Sequence, residues 1–551
     1  MLTFIVILAF QPILKKYLPQ ATPPQQTRQP APPPPPVSTA VATTPTAAPT
    51  GGAAKQASAE SETVIENDLY RITFSNRGAQ VKSWILKKFD NEAQNGRLDL
   101  VNPVSAPKYG YPLSLWTYDE SLRNRLSSAL YVASHEGTLS APTSITFEYA
   151  DADLAVRKTF GFDNSYVVTV QTSVTQNGSS VAALPAWPAG FGDQTTPATY
   201  AAGLIDYQFN KNIERVPLKK VGGGATISGP FHWAGPTDQY FAAVFVPDDP
   251  NAAAMVTLHN QIDNPQDAKR PFEIVGAAVG NLRGPTSERV FVGPKELGVL
   301  EKIPVPGVSG ADNDLNGLVD FGWWGIIAKP LFLWLKWTYS HIVPNWGWAI
   351  VLQTLIISLA LLPLRITQMK SMLKMQRVAP QIKSIQEKYK KYKLNDPRKA
   401  PMNEEISALY KKEGVNPAGG CLPMVIQLPF LFAYYRMLST ALDLRHAHWL
   451  WIHDLSARDP WFLLPGLMLV TSIITQRMTP QAGMDPAQQR MMTIMMPLMM
   501  GFIFFNLQAG LNLYYAVVNL IAIAQQSVMN RTALGKEMRE MMAKRARKKD
   551  K

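Results

Sequence analysis

The chain has 551 residues, 46% of them apolar, and a formal net charge of +13. That length allows more than one domain, and its single cysteine, Cys421, excludes an intramolecular disulfide scaffold and argues against a cysteine-built metal centre. The positive surplus concentrates in residues 365–412 and in the tail from Arg531, beside long hydrophobic runs. That pairing marks cytoplasmic loops of a membrane protein more often than a nucleic-acid-binding domain.

The chain begins "MLTFIVILAFQPILKKYLP". As a helix, residues 2–14 reach only ~20 Å at ~1.5 Å per residue, against a hydrocarbon core of ~30 Å. Lys15 and Lys16 follow the run and no charge precedes it, which suits neither a signal peptide nor the positive-inside rule. The pattern predicts a membrane anchor over 1–17 whose helix starts upstream, with a short signal-like anchor as the alternative. Residues 18–62 are rich in Pro, Ala, Thr and Gln, with five consecutive prolines at 32–36. Such a segment buries too little surface to fold and reads as an extended tether.

Residues 63–310 change to short alternating runs. "LYRITFSNRG" places Tyr70, Ile72 and Phe74 on one face with a turn at 76–78, and "SITFEYADADLAVRKTFGFDNSYVVTVQTSV" supplies three strands separated by Asp- and Asn-rich turns. Many short strands at this spacing predict an all-β sandwich of unusual size. Residues 311–342 crowd Trp323, Trp324, Trp334 and Trp337 with Lys329 and Lys336, the pattern of a helix lying in the headgroup zone; a core helix of the β domain is the alternative.

Five hydrophobic segments follow, at about 344–364, 420–440, 461–478, 491–508 and 510–530. The basic 365–412 loop is then cytoplasmic, which places the β domain outside and the basic tail, 531–551, inside. Within that loop two helical stretches joined by "LNDPRKA" predict a hairpin over 366–414, with Met369, Met372, Ile382, Ile385 and Leu409 at helical spacing.

None of the five segments contains Asp or Glu, which counts against proton-coupled transport. They carry neutral polar groups instead. Thr354 and Ser358 are four apart; Thr471 matches Thr475, and Ser472 matches Gln476. Asn512, Tyr515, Asn519 and Gln526 share one stripe. Either these are local helix–helix hydrogen bonds or they line a shared wet cavity, and stripes on several helices favour the cavity. The methionines of "RMMTIMMPLMMGF", including Met495 and Met499, suit either a surface that receives varied apolar sequences or plain core filling.

At "NPAGGCLPMVIQLPFLFAYYRML", "WIHDLSARDP", "DPAQQRMMTIMMP" and "GLNLYYAVVNL" the sequence resembles the YidC/Oxa/Alb family of membrane insertases, strongly over residues 345–530. The anchor, linker and β domain resemble the Gram-negative form, more by position than by sequence. The resemblance implies a polytopic α-helical inner-membrane protein, with a five-helix core over 343–530 and a periplasmic all-β supersandwich. It implies an insertase that is not an enzyme and needs no cofactor or metal. Nascent membrane proteins would enter a hydrophilic groove, alone or beside the Sec translocon, with the ribosome at the basic tail and lipids around the core. Carried over by position, Thr354, Gln427 and Tyr515 match groove residues, and the methionine-rich hairpin matches the substrate-receiving loop.

One departure bears on the groove. The family carries an arginine four residues beyond the threonine, where this chain has Ser358. Arg436 is the candidate replacement, with snorkelling to the outer interface as the alternative. Gln427 and Arg436 are nine apart, ~900° at ~100° per residue, hence on opposite faces of one helix. A channel or facilitator would use similar polar stripes, and a membrane-anchored carbohydrate-active enzyme would need paired carboxylates in the β domain. His453 and Asp454 in "WIHDLS" read as loop-ordering residues before catalytic ones.

Overall fold

Strand Leu154–Phe162 shows how the β region is specified: Leu154, Val156, Lys158, Phe160 and Phe162 face inward while the residues between them face solvent or lie half-buried. Period-two alternation of this kind buries one face of an antiparallel strand. The computed structural model describes residues 54–192, 203–210, 212–264, 271–308, 313–389, 400–415, 422–478 and 491–533, with positions 269, 392, 535–537 and 540. The expected anchor, most of the linker, the hairpin turn and the end of the basic tail lie outside the described residues, as do the side chains of Gln427 and Met372.

The three strands expected from the second quoted run are Thr143–Ala150, Leu154–Phe162 and Val167–Gln176, paired as an antiparallel meander. They belong to a ten-stranded sheet that continues through Thr286–Pro294, Phe241–Pro247, Phe231–Thr237, Leu204–Phe209 and Asn212–Pro217. Two five-stranded sheets complete the region, and one contiguous core lies among the sheets. Tyr70, Ile72 and Phe74 are fully buried in it, as their spacing requires. The turn after them uses Gly78 at φ +72°, where a Cβ would lie 2.6 Å from the Ser127 carbonyl oxygen. The Asp-rich turn closes through Asp151, whose carboxylate accepts the Leu154 amide at 3.0 Å and pairs with Arg125.

Beyond residue 324 the described elements are helices joined by loops. The elements are α1 (Gly325–His341), α2 (Trp346–Ala360), α3 (Leu362–Lys388), α4 (Ala400–Lys412), α5 (Leu422–Thr440), α6 (Leu463–Met478), α7 (Met496–Phe504, led in by a π-helical turn, Met491–Met495) and α8 (Ala509–Arg531). Helix α1 buries Ala328, Leu331, Phe332 and Leu335 in the core of the helical region rather than that of the β region, while Trp323, Ile326, Leu333 and Trp337 stay exposed. The two basic-loop helices pack through Val378, Ile382, Ile406, Leu409 and Tyr410, and Lys388 bonds Glu405 at 2.8 Å. Among the described residues no single helix is long and apolar enough to cross a membrane, and one pair, α2 with α3, passes together across a 48° bend.

Candidate functional site

Helix α8 packs against both α2 and α6, so polar groups on these three apolar helices converge. The loop between α5 and α6 holds the start of α8: the amides of Ala509 and Gly510 donate to the carbonyls of Ala457 at 2.6 Å and Leu455 at 2.8 Å. Asn512 ties the turn behind them, its Nδ2 donating to Phe504 O at 3.1 Å and Leu507 O at 3.2 Å. Ahead of helix α6, the Asp459 carboxylate accepts the Leu464 amide at 2.7 Å, and Asn345, the residue before α2, accepts the Trp348 amide at 3.1 Å. Each supplies an acceptor for an otherwise orphaned helix N–H.

Asn519 is the hub. Its Nδ2 donates to Ser472 Oγ at 2.8 Å, and to Thr471 Oγ1 and Met468 O, each at 3.3 Å. One stripe on α8 and one on α6 are therefore joined by helix–helix hydrogen bonds, and at this point the expected shared cavity is replaced by a direct polar seam. The reason is packing: α8 lies close enough to α6 for the amide to reach across without water. Thr475 bonds back to Thr471 O at 2.8 Å and Thr354 to Ile350 O at 2.6 Å, the usual way a hydroxyl satisfies itself inside a helix. Ser358 is buried, and its carbonyl accepts Gln525 Nε2 at 3.2 Å. Tyr515 is half-buried, edge-on to Phe504 with ring centroids 4.5 Å apart.

Three groups that the sequence reading passed over complete the seam. Gln353 is fully buried; it donates to Leu331 O of α1 at 3.0 Å and accepts the Tyr434 hydroxyl of α5. Tyr434 stacks on Tyr514 of α8 with centroids 4.0 Å apart. Gln525 is the third. An amide inside an apolar run was the available signal for Gln353, since it sits beside Thr354; Tyr434 gave none, because tyrosine also serves as an apolar filler.

Arg436 does not join the seam. It pairs with Asp320, which also faces Arg215 Nη1 of the β region at 4.0 Å. Helix α5 runs unbroken through Pro429, so the half-turn offset between positions 427 and 436 stands and the guanidinium points toward the β region. Burial raises the Asp320 pKa, but Arg215 and Arg436 outweigh it and hold the carboxyl below the usual range. Met369 is 7% exposed, packed with Leu373 and against Met529 of α8. Met495 and Met499 are open, 60% and 61% exposed, beside Leu498 and Phe502.

Known proteins match the chain along nearly all of the described length. A family model described as the YidC periplasmic domain matches residues 62–334, and one described as 60Kd inner membrane protein matches residues 337–536. The membrane protein insertase YidC of Bordetella parapertussis is 32% identical over 499 residues, covering 86% of this chain and 84% of that protein. The protein of the same name from Citrifermentans bemidjiense is 32% identical over 493 residues, covering 85% of each. A crystal structure of an active YidC insertase with its first transmembrane domain resolved aligns over 87% of this chain and 95% of that one, at 20% identity and a TM-score of 0.36. A β-rich periplasmic module followed by a helical module defines the class. The chain belongs to the YidC family of membrane protein insertases.

Proposed function

We propose that this chain inserts nascent transmembrane segments into the bacterial inner membrane and assists their folding there, with α2, α5, α6, α7 and α8 as the five membrane-crossing helices. The observation that carries the reading is the contrast between the two sides of these helices. Inward lie neutral polar groups (Gln353, Thr354, Ser358, Thr471, Asn519), while Leu355, Leu359, Val470, Ile474, Leu520 and Val528 stand exposed outward. Exposed apolar surface on this scale is stable only against lipid or a protein partner. A polar end of a substrate loses hydration on entering hydrocarbon, and amides and hydroxyls along its path lower that barrier. The apolar segment supplies the driving force as it reaches lipid. No carboxylate lies in any of the five helices, so the work is desolvation and positioning.

The finer assignments belong to the same reading. The anchor occupies 1–17, the tether 18–62, a periplasmic β-supersandwich 63–310, an interfacial helix 311–342, the insertase core 343–530 with its cytoplasmic hairpin 366–414, and a basic cytoplasmic tail 531–551. Thr354, Ser358, Gln427, Thr475, Tyr515 and Asn519 form the substrate path, and Met495 and Met499 receive the apolar segment, as pliable thioethers do. The Sec translocon, the ribosome at the tail and the surrounding lipids are the partners. A channel reading finds no support in the family.

The test is reconstitution in proteoliposomes with a single-span substrate bearing a short acidic translocated tail, scored by protease protection. Insertion should fall about tenfold, or ~1.4 kcal/mol of barrier, in a Thr354→Val/Asn519→Leu protein, with no solute flux in either protein. Full insertion by the double variant, or insertion equal to that in protein-free liposomes, overturns the reading.

A further inference from the structure

Glu92, His446 and Asp454 come from distant parts of the chain. Glu92 lies in the loop after strand Gln80–Asp90 of the β region; the other two lie in the loop between α5 and α6. One imidazole nitrogen and one oxygen from each carboxylate lie within 4.8 Å of one another. Among the described residues this is the one such meeting of three His or carboxylate side chains. An independent observation singles out the imidazole: His446 Nε2 is buried and has no hydrogen-bond partner. A buried ring nitrogen left bare costs free energy that a ligand would recover. Arg445 is held to the cluster: its Nη2 is 3.3 Å from Glu92 and its Nη1 donates to Asp90 O at 2.9 Å. The guanidinium thus faces the Glu92 carboxylate. A cavity of about 260 Å³ lined by Lys88, Asp90, Glu296, Asp443, Arg445 and His446 opens beside them.

We infer that Glu92, His446 and Asp454 form a divalent-cation site of the zinc type that joins the β region to the loop preceding α6. One imidazole with two carboxylates is a donor set that Zn²⁺ accepts, whereas Mg²⁺ and Ca²⁺ prefer oxygen alone. Tetrahedral bonds of ~2.0–2.2 Å require donors ~3.4 Å apart, and the three ligand atoms already lie within 4.8 Å of one another, so a side-chain adjustment brings them to a shared ion. The fourth position is left to water. The ion's role is structural: it adds its binding free energy to the folded, docked arrangement, and it takes no part in insertion.

Tag-free full-length protein in detergent, stripped with a chelator, is titrated with Zn²⁺ against a chromogenic indicator, and bound metal is counted by mass spectrometry. One Zn²⁺ per chain is expected, with affinity at least tenfold weaker in His446→Asn and in Asp454→Asn. Both variants respect the fold: asparagine tolerates the φ of +58° at 446, and an amide oxygen at 454 can still accept the Ser456 amide, now bonded at 2.7 Å. His448→Ala/His453→Ala serves as the control, because those rings meet edge to face in the same loop with centroids 5.4 Å apart. Co²⁺ should give visible d–d bands with the wild-type protein and none with His446→Asn. Absence of stoichiometric binding, unchanged affinity in His446→Asn, or a loss that follows the His448/His453 control instead overturns the site. Insertion assays play no part in this test, so its outcome stands apart from the insertase reading.

Discussion

Lys158 occupies an inward position of strand Leu154–Phe162 where the alternation calls for an apolar residue. It is fully buried, and its Nζ donates to the carbonyls of Gly78 at 3.1 Å, Ala79 at 2.5 Å and Leu113 at 2.7 Å. Three N–H groups of an ammonium meet three acceptors, while burial pushes the group's pKa down to about 7 from an ordinary 10.5. Between these values the unfolded chain binds more protons than the folded one, so this group makes stability rise with pH across that window; below about 7 its desolvation cost is present in full. Lys158→Met should cost about 2–4 kcal/mol by stranding the carbonyls, and should abolish this part of the pH slope. Urea midpoints of the β region within the full chain, at pH 7 and pH 9, check both statements. The sequence shows the lysine's place in the strand; its three partners, contributed by residues far off in the chain, are invisible there.

At the scale of elements, the helix segments near 420–440, 461–478 and 510–530 were legible because long apolar runs leave little choice of secondary structure. What joins them was not legible. Gly347, in the first turn of α2, lies under Trp449 of the α5–α6 loop, and a Cβ there would sit 2.2 Å from the indole Cδ1 and Cγ. Trp449 is buried in the helical core and cannot swing aside. Gly347→Ala should therefore lower the stability of the helical region by about 1–3 kcal/mol, read as thermal unfolding in detergent. Gly466→Ala in α6, where a Cβ meets nothing within 4 Å, should leave it unchanged or raise it. The polar stripes had the same ambiguity: spacing put Thr471, Asn519 and their neighbours on faces, but not which face met which, so cavity and seam stayed equivalent until the helices were packed.

Residues 51–551 form one unit, and its two regions meet through polar contacts. Asp320 holds Arg215 and Arg436, Lys336 of α1 bonds Glu296 at 2.8 Å and faces Asp443 at 3.6 Å, and Gln239 donates to Ser439 O. Arg436 thus serves docking. Arg436→Ala and Asp320→Ala should each raise amide hydrogen exchange across 313–324, and the double variant should add little to either, since a half-exposed pair contributes about 0.2–1 kcal/mol. Insertion of an acidic-tailed substrate should change less than twofold; a tenfold loss would restore Arg436 to the substrate path.

By itself the sequence determined the family, a β-rich region ahead of a helical one, and the strands and helices that its clearest periodic runs mark, because composition, periodicity and local motifs act over a few residues to a few tens of residues. The tertiary structure decided that Asn519 closes a seam, that Met369 is buried and that Arg436 turns to Asp320. It also placed Glu92 beside His446 and Asp454. Those outcomes depend on pairs separated by 47 to 362 positions, and such pairs meet only through the packing of whole elements, which no local pattern encodes.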